Sequence, residues 1–347
     1  MNVTDDGAPR AYGVQVQPGT ALYSVATGTK TKEDNEITYF ARKEVILAGG
    51  TFNTPQILML SGIGPKEHLT EFNIPVLVDL PGVGENLADK LEATMNWQMP
   101  STWKVFQQGC TFLKPTPEED PCYVEFMNGQ SPNLYTSPGS LIAIQRKTDP
   151  NLSRPDMYIQ MGVNKFLGYN DGWVDMALYE NEEDTLTINT STPRTGPSKG
   201  TVRLTSANPF DSVQIDFNGY DEEDLIKTGR VVEEIRNCYR RLQRLGIVGK
   251  EAVQGDTVES FEDVKAWVRS NGWGQNPTGT AKMGTDEMAV VGQFRVRGVE
   301  RWRIVDASVF PDQPGFYPMV PVYMMAEKAA DDILNEADGL ESQIAVP

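Results

Sequence analysis

Residues 273–284 read Trp-Gly-Gln-Asn-Pro-Thr-Gly-Thr-Ala-Lys-Met-Gly, and residues 303–319 read Arg-Ile-Val-Asp-Ala-Ser-Val-Phe-Pro-Asp-Gln-Pro-Gly-Phe-Tyr-Pro-Met. Two turns rich in glycine and proline flank a short apolar strand, which ends in Asp306 and two small residues. Small side chains let the backbone approach a phosphate or a polyol chain closely. A helix is predicted from about residue 322 to residue 334, so that its N-terminal N–H groups can face an anion.

A second stretch with the same character covers residues 44–64. Residues 44–48 form an apolar run without alternation, which predicts a strand buried on both faces. A glycine pair follows at once, and ligands of open α/β sheets lie beyond the carboxyl ends of strands. Thr54 is predicted to cap a helix that begins at Pro55 and ends at Gly62.

Both stretches resemble the sequence signatures of the glucose-methanol-choline (GMC) oxidoreductases, flavoenzymes that oxidise alcohols with FAD. Residues 50–64, Gly-Thr-Phe-Asn-Thr-Pro-Gln-Ile-Leu-Met-Leu-Ser-Gly-Ile-Gly, are similar to one signature, and the two stretches quoted first are similar to the C-terminal one. Shorter matches are Pro-Gly-Val-Gly-Glu-Asn-Leu at 81–87 and Gly-Thr-Val-Arg-Leu at 200–204. The resemblance extends from about Tyr12 to Leu334, nearly the whole chain.

The resemblance implies a cofactor, a reaction and a set of contacts. It implies that the protein binds FAD and oxidises the CH–OH group of a small-molecule alcohol, with hydride transfer to flavin N5. The residues that would contact the cofactor are Ala48, Gly49, Asp306, Ala307, Pro318 and Met319.

The catalytic position departs from the family pattern. Alcohol oxidation needs a base for the hydroxyl proton, and the family places a histidine just before a Pro-x-Gly-Thr run. This chain has Asn276 there, and an amide cannot act as a base, although it can donate a hydrogen bond to an alkoxide or carbonyl oxygen. We therefore expect the redox activity to be weak, redirected or lost.

Two other residues are candidates for the proton transfer. The second catalytic position of the family falls on Tyr317, and Lys90 is a third candidate. Both groups titrate near pH ~10 when unperturbed. Asn276 and Tyr317 are the catalytic assignment, and packing against the flavin ring is the alternative role of Tyr317.

One element of the family is missing from these 347 residues. No strand is followed by Gly-x-Gly-x-x-Gly with an acid about 20 residues further on, the element that holds the ADP half of FAD. The family carries it at the N-terminus, so the chain is expected to be a C-terminal portion: a truncated gene model, a processed fragment or half of a split protein. We expect poor FAD affinity and low stability of the chain alone. The missing N-terminal half or a second copy of the chain is the expected protein partner.

The predicted fold class is α/β, or α+β overall, in three consecutive parts. Residues 1–90 are the C-terminal part of a doubly wound FAD-binding domain, residues 91–272 an inserted substrate-binding domain, and residues 273–347 a return to the first domain. The inserted domain is predicted to hold an antiparallel sheet packed with helices. Its candidate strands are 141–145, 156–163, 173–179, 185–192 and 201–205, and its candidate helices are 221–245 and 260–269.

Composition argues against several classes of partner. The chain has 31 Lys and Arg against 48 Asp and Glu, a net charge of −17, which disfavours nucleic acid and anionic membrane surfaces. No apolar run approaches the ~20 residues that span a bilayer. Without a secretory signal in this sequence, a cytoplasmic location is the default expectation. One histidine and three cysteines give no metal-site spacing, so no metal is expected.

The histidine and the cysteines are expected to have structural roles. His68 falls in a predicted short helix over 65–72, between two glutamates, and is expected on a solvated face rather than in catalysis. A bridge between Cys110 and Cys122 is conceivable around the Pro-rich loop between them. We expect free, buried thiols instead.

Three hypotheses about function follow. The first is an FAD-dependent alcohol oxidoreductase seen in part. The second is a non-redox enzyme on the same scaffold, such as a dehydrating cyclase that keeps FAD only as structure, because the catalytic base is replaced. The third is an inactive remnant or a binding protein, because the Gly-rich half is not in the sequence.

Overall fold

The structure is a computed structural model, and it contains both helices and strands, as the sequence predicts. The residues that it describes are 2–3, 7–20, 22–24, 36–101, 110–111, 115–130, 135, 142–162, 165–173, 185–193, 199–252 and 257–337. The strands are β1 (Asn2–Val3), β2 (Pro9–Arg10), β3 (Gly13–Val16), β4 (Ile37–Phe40), β5 (Val45–Leu47), β6 (Ile63–Gly64), β7 (Val78–Asp79), β8 (Lys90–Gln98), β9 (Ile142–Arg146), β10 (Met157–Gly162), β11 (Thr185–Pro193), β12 (Thr201–Arg203), β13 (Gln214–Asp216), β14 (Val291–Gly292), β15 (Arg295–Val296) and β16 (Trp302–Ile304). The helices are α1 (Gly50–Leu60), α2 (Lys66–Glu71), α3 (Pro121–Met127), α4 (Glu222–Arg244), α5 (Phe261–Asn271) and α6 (Met319–Ala337), with 3-10 turns at Pro117–Glu119 and Ala307–Val309.

The chain divides into two compact units. The first contains residues 1–89, 196–219 and 275–347, and the second contains residues 90–195 and 220–274. In the described part of the helices, none is both long and apolar enough to cross a membrane.

The segment that ends near Gly219 belongs to the first unit, although the sequence analysis placed it in the inserted domain. Leu87 and Gly200 exchange backbone hydrogen bonds of 2.9 and 2.8 Å, and the Val202 N–H donates to the Gly84 carbonyl at 2.7 Å. These bonds join the segment to the turn that precedes residue 90.

The main sheet of the first unit has the strand order β14-β15-β16-β5. β16 is parallel to β5 and antiparallel to β15. Leu58, Ile63 and Ile304 are fully buried in the core beside it. The expectation that residues 44–48 are buried on both faces is wrong, because alternate strand residues point to opposite faces and Ile46 is 49% exposed.

Helix α1 begins earlier than the sequence analysis expected. Its first residue is Gly50, and Pro55 lies inside it, so Thr54 is not its N-cap. A proline inside a helix removes one backbone donor, and the carbonyl that would lose its partner is that of Thr51. The Thr280 hydroxyl donates to this carbonyl at 2.6 Å, which removes the cost of the missing donor. The predicted end at Gly62 is confirmed, since that residue has a φ of +83°.

The second unit is built on an antiparallel sheet with the order β8-β11-β10-β9. The predicted strands within residues 141–192 that the structure describes appear as β9, β10 and β11, and the two predicted helices appear as α4 and α5. Ser260 caps α5 in a capping box with Asp263. The predicted strand at 173–179 lies almost wholly outside the described residues.

The cysteines differ from the expectation of free, buried thiols. Cys110 and Cys122 form a disulfide, and Cys238 is free and exposed. Asp120 explains how the two ends of the loop meet. Its Oδ1 accepts from the Cys122 N–H at 3.0 Å, at the start of α3, and from the Thr111 N–H at 3.3 Å.

Candidate functional site

The candidate site of the first unit lies at the carboxyl ends of two parallel strands. Ile304 of β16 lies beside Leu47 of β5, and the Val305 N–H donates to the Leu47 carbonyl at 2.9 Å. The residues that follow the two strands, 48–50 and 306–308, therefore lie together. Four of the six predicted cofactor contacts fall in these segments: Ala48, Gly49, Asp306 and Ala307.

The Asp306 carboxylate connects the two segments. Oδ2 accepts from the Gly50 N–H at 3.1 Å and from the Thr54 hydroxyl at 2.6 Å, and Oδ1 accepts from the Ser308 N–H at 2.7 Å. The residue is 7% exposed, and it lies at the positive end of the α1 dipole. Since its oxygens bind protein donors, contact with a bound group falls to the backbone at this position.

A third segment, residues 276–281, runs beside the turn that follows β16. The Gly279 N–H donates to the Ala307 carbonyl at 3.2 Å, and the Ala281 N–H donates to the Ser308 carbonyl at 2.9 Å. The Thr51 hydroxyl of α1 donates to the Pro277 carbonyl at 2.7 Å. The Asn276 segment is therefore fixed against both α1 and the strand end.

A fourth segment, residues 84–89, completes this arrangement, which we call the four-segment junction. Ala88 and Thr278 exchange backbone hydrogen bonds of 3.0 and 2.8 Å. The Asn86 amide donates to the Gly279 carbonyl at 3.3 Å and to the Pro311 carbonyl at 3.1 Å. Gly279 has a φ of +97°, and an added Cβ would lie 2.4 Å from the Asn86 carbonyl oxygen, so only glycine fits.

Asn276, the first catalytic candidate, has its backbone held at both ends. Its N–H donates to Asp89 Oδ1 at 3.0 Å, and its carbonyl accepts from Gln313 Nε2 at 2.9 Å. Its side-chain amide donates to the Gln275 carbonyl at 2.7 Å. Asp89 is buried, so this anchor is shielded from water.

Tyr317, the second catalytic candidate, is half-buried, as is Pro318, and both directly precede α6. Met319 is the first residue of α6 and is exposed. Gln313 connects the loop before these residues to Asn276, as described above. Lys90 is buried at the start of β8 in the second unit. The catalytic and cofactor roles of these residues stay predictions.

The junction fits part of FAD, the cofactor that the family resemblance implies. Thr278 Oγ1, Ser308 Oγ and Gln313 Oε1 are buried without a hydrogen-bond partner among the described residues. Each such atom costs about 1–3 kcal/mol when it is left unpaired, so these three atoms are available to hydrogen-bond a bound group. A Cβ built on Gly50 would meet no atom within 4 Å, so open space lies beside the first turn of α1.

His68 does not lie on a solvated face, contrary to the sequence-based expectation. Its Nε2 accepts from the Leu204 N–H at 3.0 Å, and its ring packs edge-on against Phe72 at 5.3 Å. Burial, and after it the charge of Arg203, lower the pKa of His68, so the neutral ring is the favoured form. His68 is thus a structural acceptor that holds α2 to the strand region near residue 204.

Several residues of the junction were missed by sequence reasoning. The side chains of Thr51 and Thr54 make hydrogen bonds to residues more than 200 positions away along the chain. The Gln313 side chain makes one to Asn276, 37 positions away. Thr51 and Thr54 lie three residues apart, just after a glycine pair, and this pattern was a usable signal for the first turn of a helix. No pattern near Gln313 points to its role.

Comparisons with known proteins give two matches to family models. Both models are described as GMC oxidoreductase, and they match residues 3–92 and 197–326.

Full-length relatives extend the comparison to most of the chain. Human mitochondrial choline dehydrogenase is 32% identical over 308 residues, covering 86% of this chain and 48% of that protein. Oxygen-dependent choline dehydrogenase of Staphylococcus aureus (strain MSSA476) is 32% identical over 329 residues, covering 92% of this chain and 54% of that protein. The chain thus spans about half the length of the curated relatives it matches.

Solved structures agree with these relatives. Formate oxidase of Aspergillus oryzae, in a structure concerned with FAD modification, superposes with a TM-score of 0.71 at 25% identity, covering 88% of this chain and 56% of that one. Pyridoxine 4-oxidase from Mesorbium loti, at 20% identity and a TM-score of 0.67 over 87% of this chain and 53% of that one, shares the fold. Because the family models match residues 3–92 and 197–326, which include all four segments of the junction, the chain belongs to the GMC oxidoreductases.

Proposed function

We propose that the chain is the cofactor-adjacent and substrate-side part of an FAD-dependent oxidoreductase that acts on the CH–OH group of a small alcohol. The observation that supports it most is the Asp306 carboxylate, which joins α1 to the turn after β16. It arranges small residues, a helix N-terminus and the Asn276 segment at one edge.

In this proposal, FAD supplies the hydride acceptor when it is bound. The backbone of residues 48–50 and 306–307 would hold the cofactor, since small side chains leave it accessible. The Asn276 amide orients the alcohol oxygen by donating a hydrogen bond. Asp89 and Gln313 hold the Asn276 backbone, so this amide is placed before the alcohol arrives.

The proton of the alcohol needs an acceptor other than histidine. We assign this role to the Tyr317 hydroxyl, which precedes α6. A phenol titrates near pH ~10 when unperturbed, so little of it is ionised at neutral pH. Loss of an efficient base typically costs a factor of about 10²–10⁴ in rate, and the proposed enzyme is therefore slow near pH 7 and faster in alkaline buffer.

The substrate surface is proposed on the polar face of the sheet in the second unit. Asn189 Nδ2 donates to Glu92 Oε2 at 2.9 Å, and both residues are buried. The Trp273 indole N–H donates to Thr94 of the same face at 3.2 Å. Trp273 also contacts the ring of Tyr169 at 5.1 Å between centroids. A buried carboxylate near aromatic rings suits a cationic alcohol, such as the choline for which two of the relatives are named.

A pair of isosteric alcohols tests this substrate class. Choline and 3,3-dimethylbutan-1-ol have the same shape, but only choline is charged. In the complex with the Gly-rich half, the native chain should give a KM for choline at least tenfold lower than for the neutral alcohol, and Glu92→Gln should remove that preference with a smaller effect on kcat. Equal KM values for the two alcohols with the native chain would refute the proposed preference for a cationic substrate. They would leave the proposed redox reaction unaffected.

A protein partner is also proposed for the first unit. Helix α6 exposes Met319, Val320, Tyr323 and Met324, and among its described residues Ala329 is buried. Exposure of such an apolar patch to water is unfavourable, and patches of this kind mark interaction surfaces. We propose that it is covered by a polypeptide that carries the Gly-x-Gly-x-x-Gly element and holds the ADP half of FAD.

The direct experiment joins this chain to such a polypeptide. Co-expression with the Gly-rich half of a related family member should give a yellow complex, and an alcohol should bleach the flavin absorbance under anaerobic conditions. The replacement of histidine by Asn276 favours a second candidate, a non-redox enzyme that keeps FAD as structure. A yellow complex that no alcohol bleaches would support that second candidate, and a colourless complex would contradict both.

A further inference from the structure

A cavity in the second unit is not used by the proposed function. It lies between the sheet strands β9, β10 and β11 and one face of helix α4, and its volume is about 290 Å³. The helix contributes Val231, Ile235, Tyr239 and Leu242, spaced four, four and three residues apart. This spacing keeps the four side chains on one face of the helix, so the cavity is a gap between two packed layers.

The cavity is enclosed at one end and open at the other. Met157, Ile188 and Val231 line it and are at most 2% exposed. Cys238 also lines it and is exposed. An ion pair between Arg146 and Glu234, 2.6 Å long and about half-exposed on both sides, stands at the open end. A ligand would therefore enter past Cys238 with its apolar end first.

Tyr239 provides a polar group inside this apolar lining. Its ring is stacked on Trp97 with centroids 4.3 Å apart, which fixes the position of the hydroxyl. The hydroxyl donates to the sulfur of Met161 at 3.1 Å, and a thioether is a weak acceptor. Burial raises the pKa of Tyr239 to about 12, so the phenol stays protonated and able to donate. A carbonyl oxygen would be a better acceptor than this sulfur.

We propose that this cavity binds a small, neutral aromatic molecule with one hydrogen-bond acceptor, such as an aryl ketone, and that Tyr239 donates to the acceptor. An apolar cavity of about 150 Å³ is known to hold benzene, so 290 Å³ admits one ring with a short substituent. The two methionines in the lining can adjust to the shape of the ligand. Charged molecules are excluded, because the charged residues in the described lining, Arg146 and Glu234, form an ion pair with each other and leave no charge for the ligand.

Ligand-observed NMR titration of the full chain tests the proposal with acetophenone and ethylbenzene, which differ in the carbonyl. Acetophenone should bind saturably and more tightly than ethylbenzene by roughly two- to tenfold, the worth of one hydrogen bond. Tyr239→Phe should abolish this difference. Cys238→Trp, which fills the mouth, should weaken acetophenone binding at least tenfold. Arg240→Trp, two residues further along α4, is the matched control and should leave binding unchanged.

Two results would overturn the inference. One is the lack of saturable acetophenone binding by the folded native chain. The other is binding that Cys238→Trp and Arg240→Trp leave equally strong, which would place the ligand elsewhere. A circular dichroism melt of each variant confirms that it is folded. FAD is not needed for these titrations, so their failure leaves the redox proposal intact.

Discussion

At the scale of single residues, the Asp306 side chain has a structural role that the sequence analysis did not predict. Its position after a strand suggested a cofactor contact, and its carboxylate binds three protein donors instead. The side chain shapes the edge, and the backbone around it is what a cofactor can reach.

Removing this carboxylate should destabilise the first unit. Asp306→Ala leaves the Gly50 N–H, the Thr54 hydroxyl and the Ser308 N–H without their acceptor. We expect a loss of about 2–4 kcal/mol in the free energy of unfolding, measured by urea denaturation. Asp331→Ala, on the exposed surface of α6, is the control and should change stability by less than about 0.5 kcal/mol. Equal stabilities of the two variants would contradict the role given to Asp306.

Asn276 allows a test by gain of function. Asn276→His places a titratable base at the position where the family has one. In the yellow complex, alcohol-dependent flavin reduction should rise by a factor of about 10²–10⁴, measured by anaerobic stopped-flow absorbance. Asn276→Gln keeps an amide and should show no such rise. If histidine does not raise the rate although FAD is bound, Asn276 does not face the alcohol.

His68 should make stability depend on pH. Its pKa is lowered in the folded protein, mainly by burial, and the neutral ring accepts from the Leu204 N–H. The unfolded chain therefore binds the proton more readily, so this contribution is full above the unfolded pKa of about 6.5 and falls as the pH drops through the window below it. The urea midpoint of the native chain should fall from pH 7.5 to pH 5.5 by more than that of His68→Gln. Parallel pH profiles would show that His68 is not responsible.

At the scale of elements, the four-segment junction depends on a glycine that accepts a left-handed backbone. Gly279→Ala forces a Cβ against the Asn86 carbonyl at 2.4 Å in a conformation with φ of +97°. We expect a loss of about 1–3 kcal/mol in thermal or urea unfolding. Gly292→Ala is matched to it, because a Cβ there meets no atom within 4 Å and φ is not positive. A loss in both variants alike would indicate a general sensitivity of glycine sites.

The elements also show which parts of the fold can be predicted. Helices α4 and α5 were placed within two residues, because a strong 3.6-residue period and the Ser260 cap act locally. Strand β8 was missed, although Lys-Leu-Glu-Ala-Thr-Met-Asn-Trp-Gln alternates throughout, and the structure buries its polar positions as well as its apolar ones. The start of α1 was misplaced because its N-terminal partner, Asp306, is 256 residues away along the chain. Asn276 and Asp306 could be singled out from local motifs, whereas Gln313 could not, because its role depends on contacts between segments.

At the scale of the whole molecule, both units expose large apolar side chains. The first unit exposes apolar side chains on β4 and α6, among them Phe40 and Tyr323. The surface of α6 is the one for which a covering polypeptide is proposed. The second unit has its own sheet, core and disulfide.

The disulfide between Cys110 and Cys122 needs an oxidising environment to form. Glutathione and thioredoxin keep cysteine pairs reduced in the cytosol, whereas disulfides form in the periplasm, the endoplasmic reticulum and the extracellular space. With three cysteines in all, material from an oxidising host should show one reactive thiol, that of Cys238, and material from a reducing host should show three under denaturing thiol titration. A disulfide that closes a loop of this size adds about 3 kcal/mol to the free energy of unfolding. The choice of expression host therefore affects the stability of the purified protein.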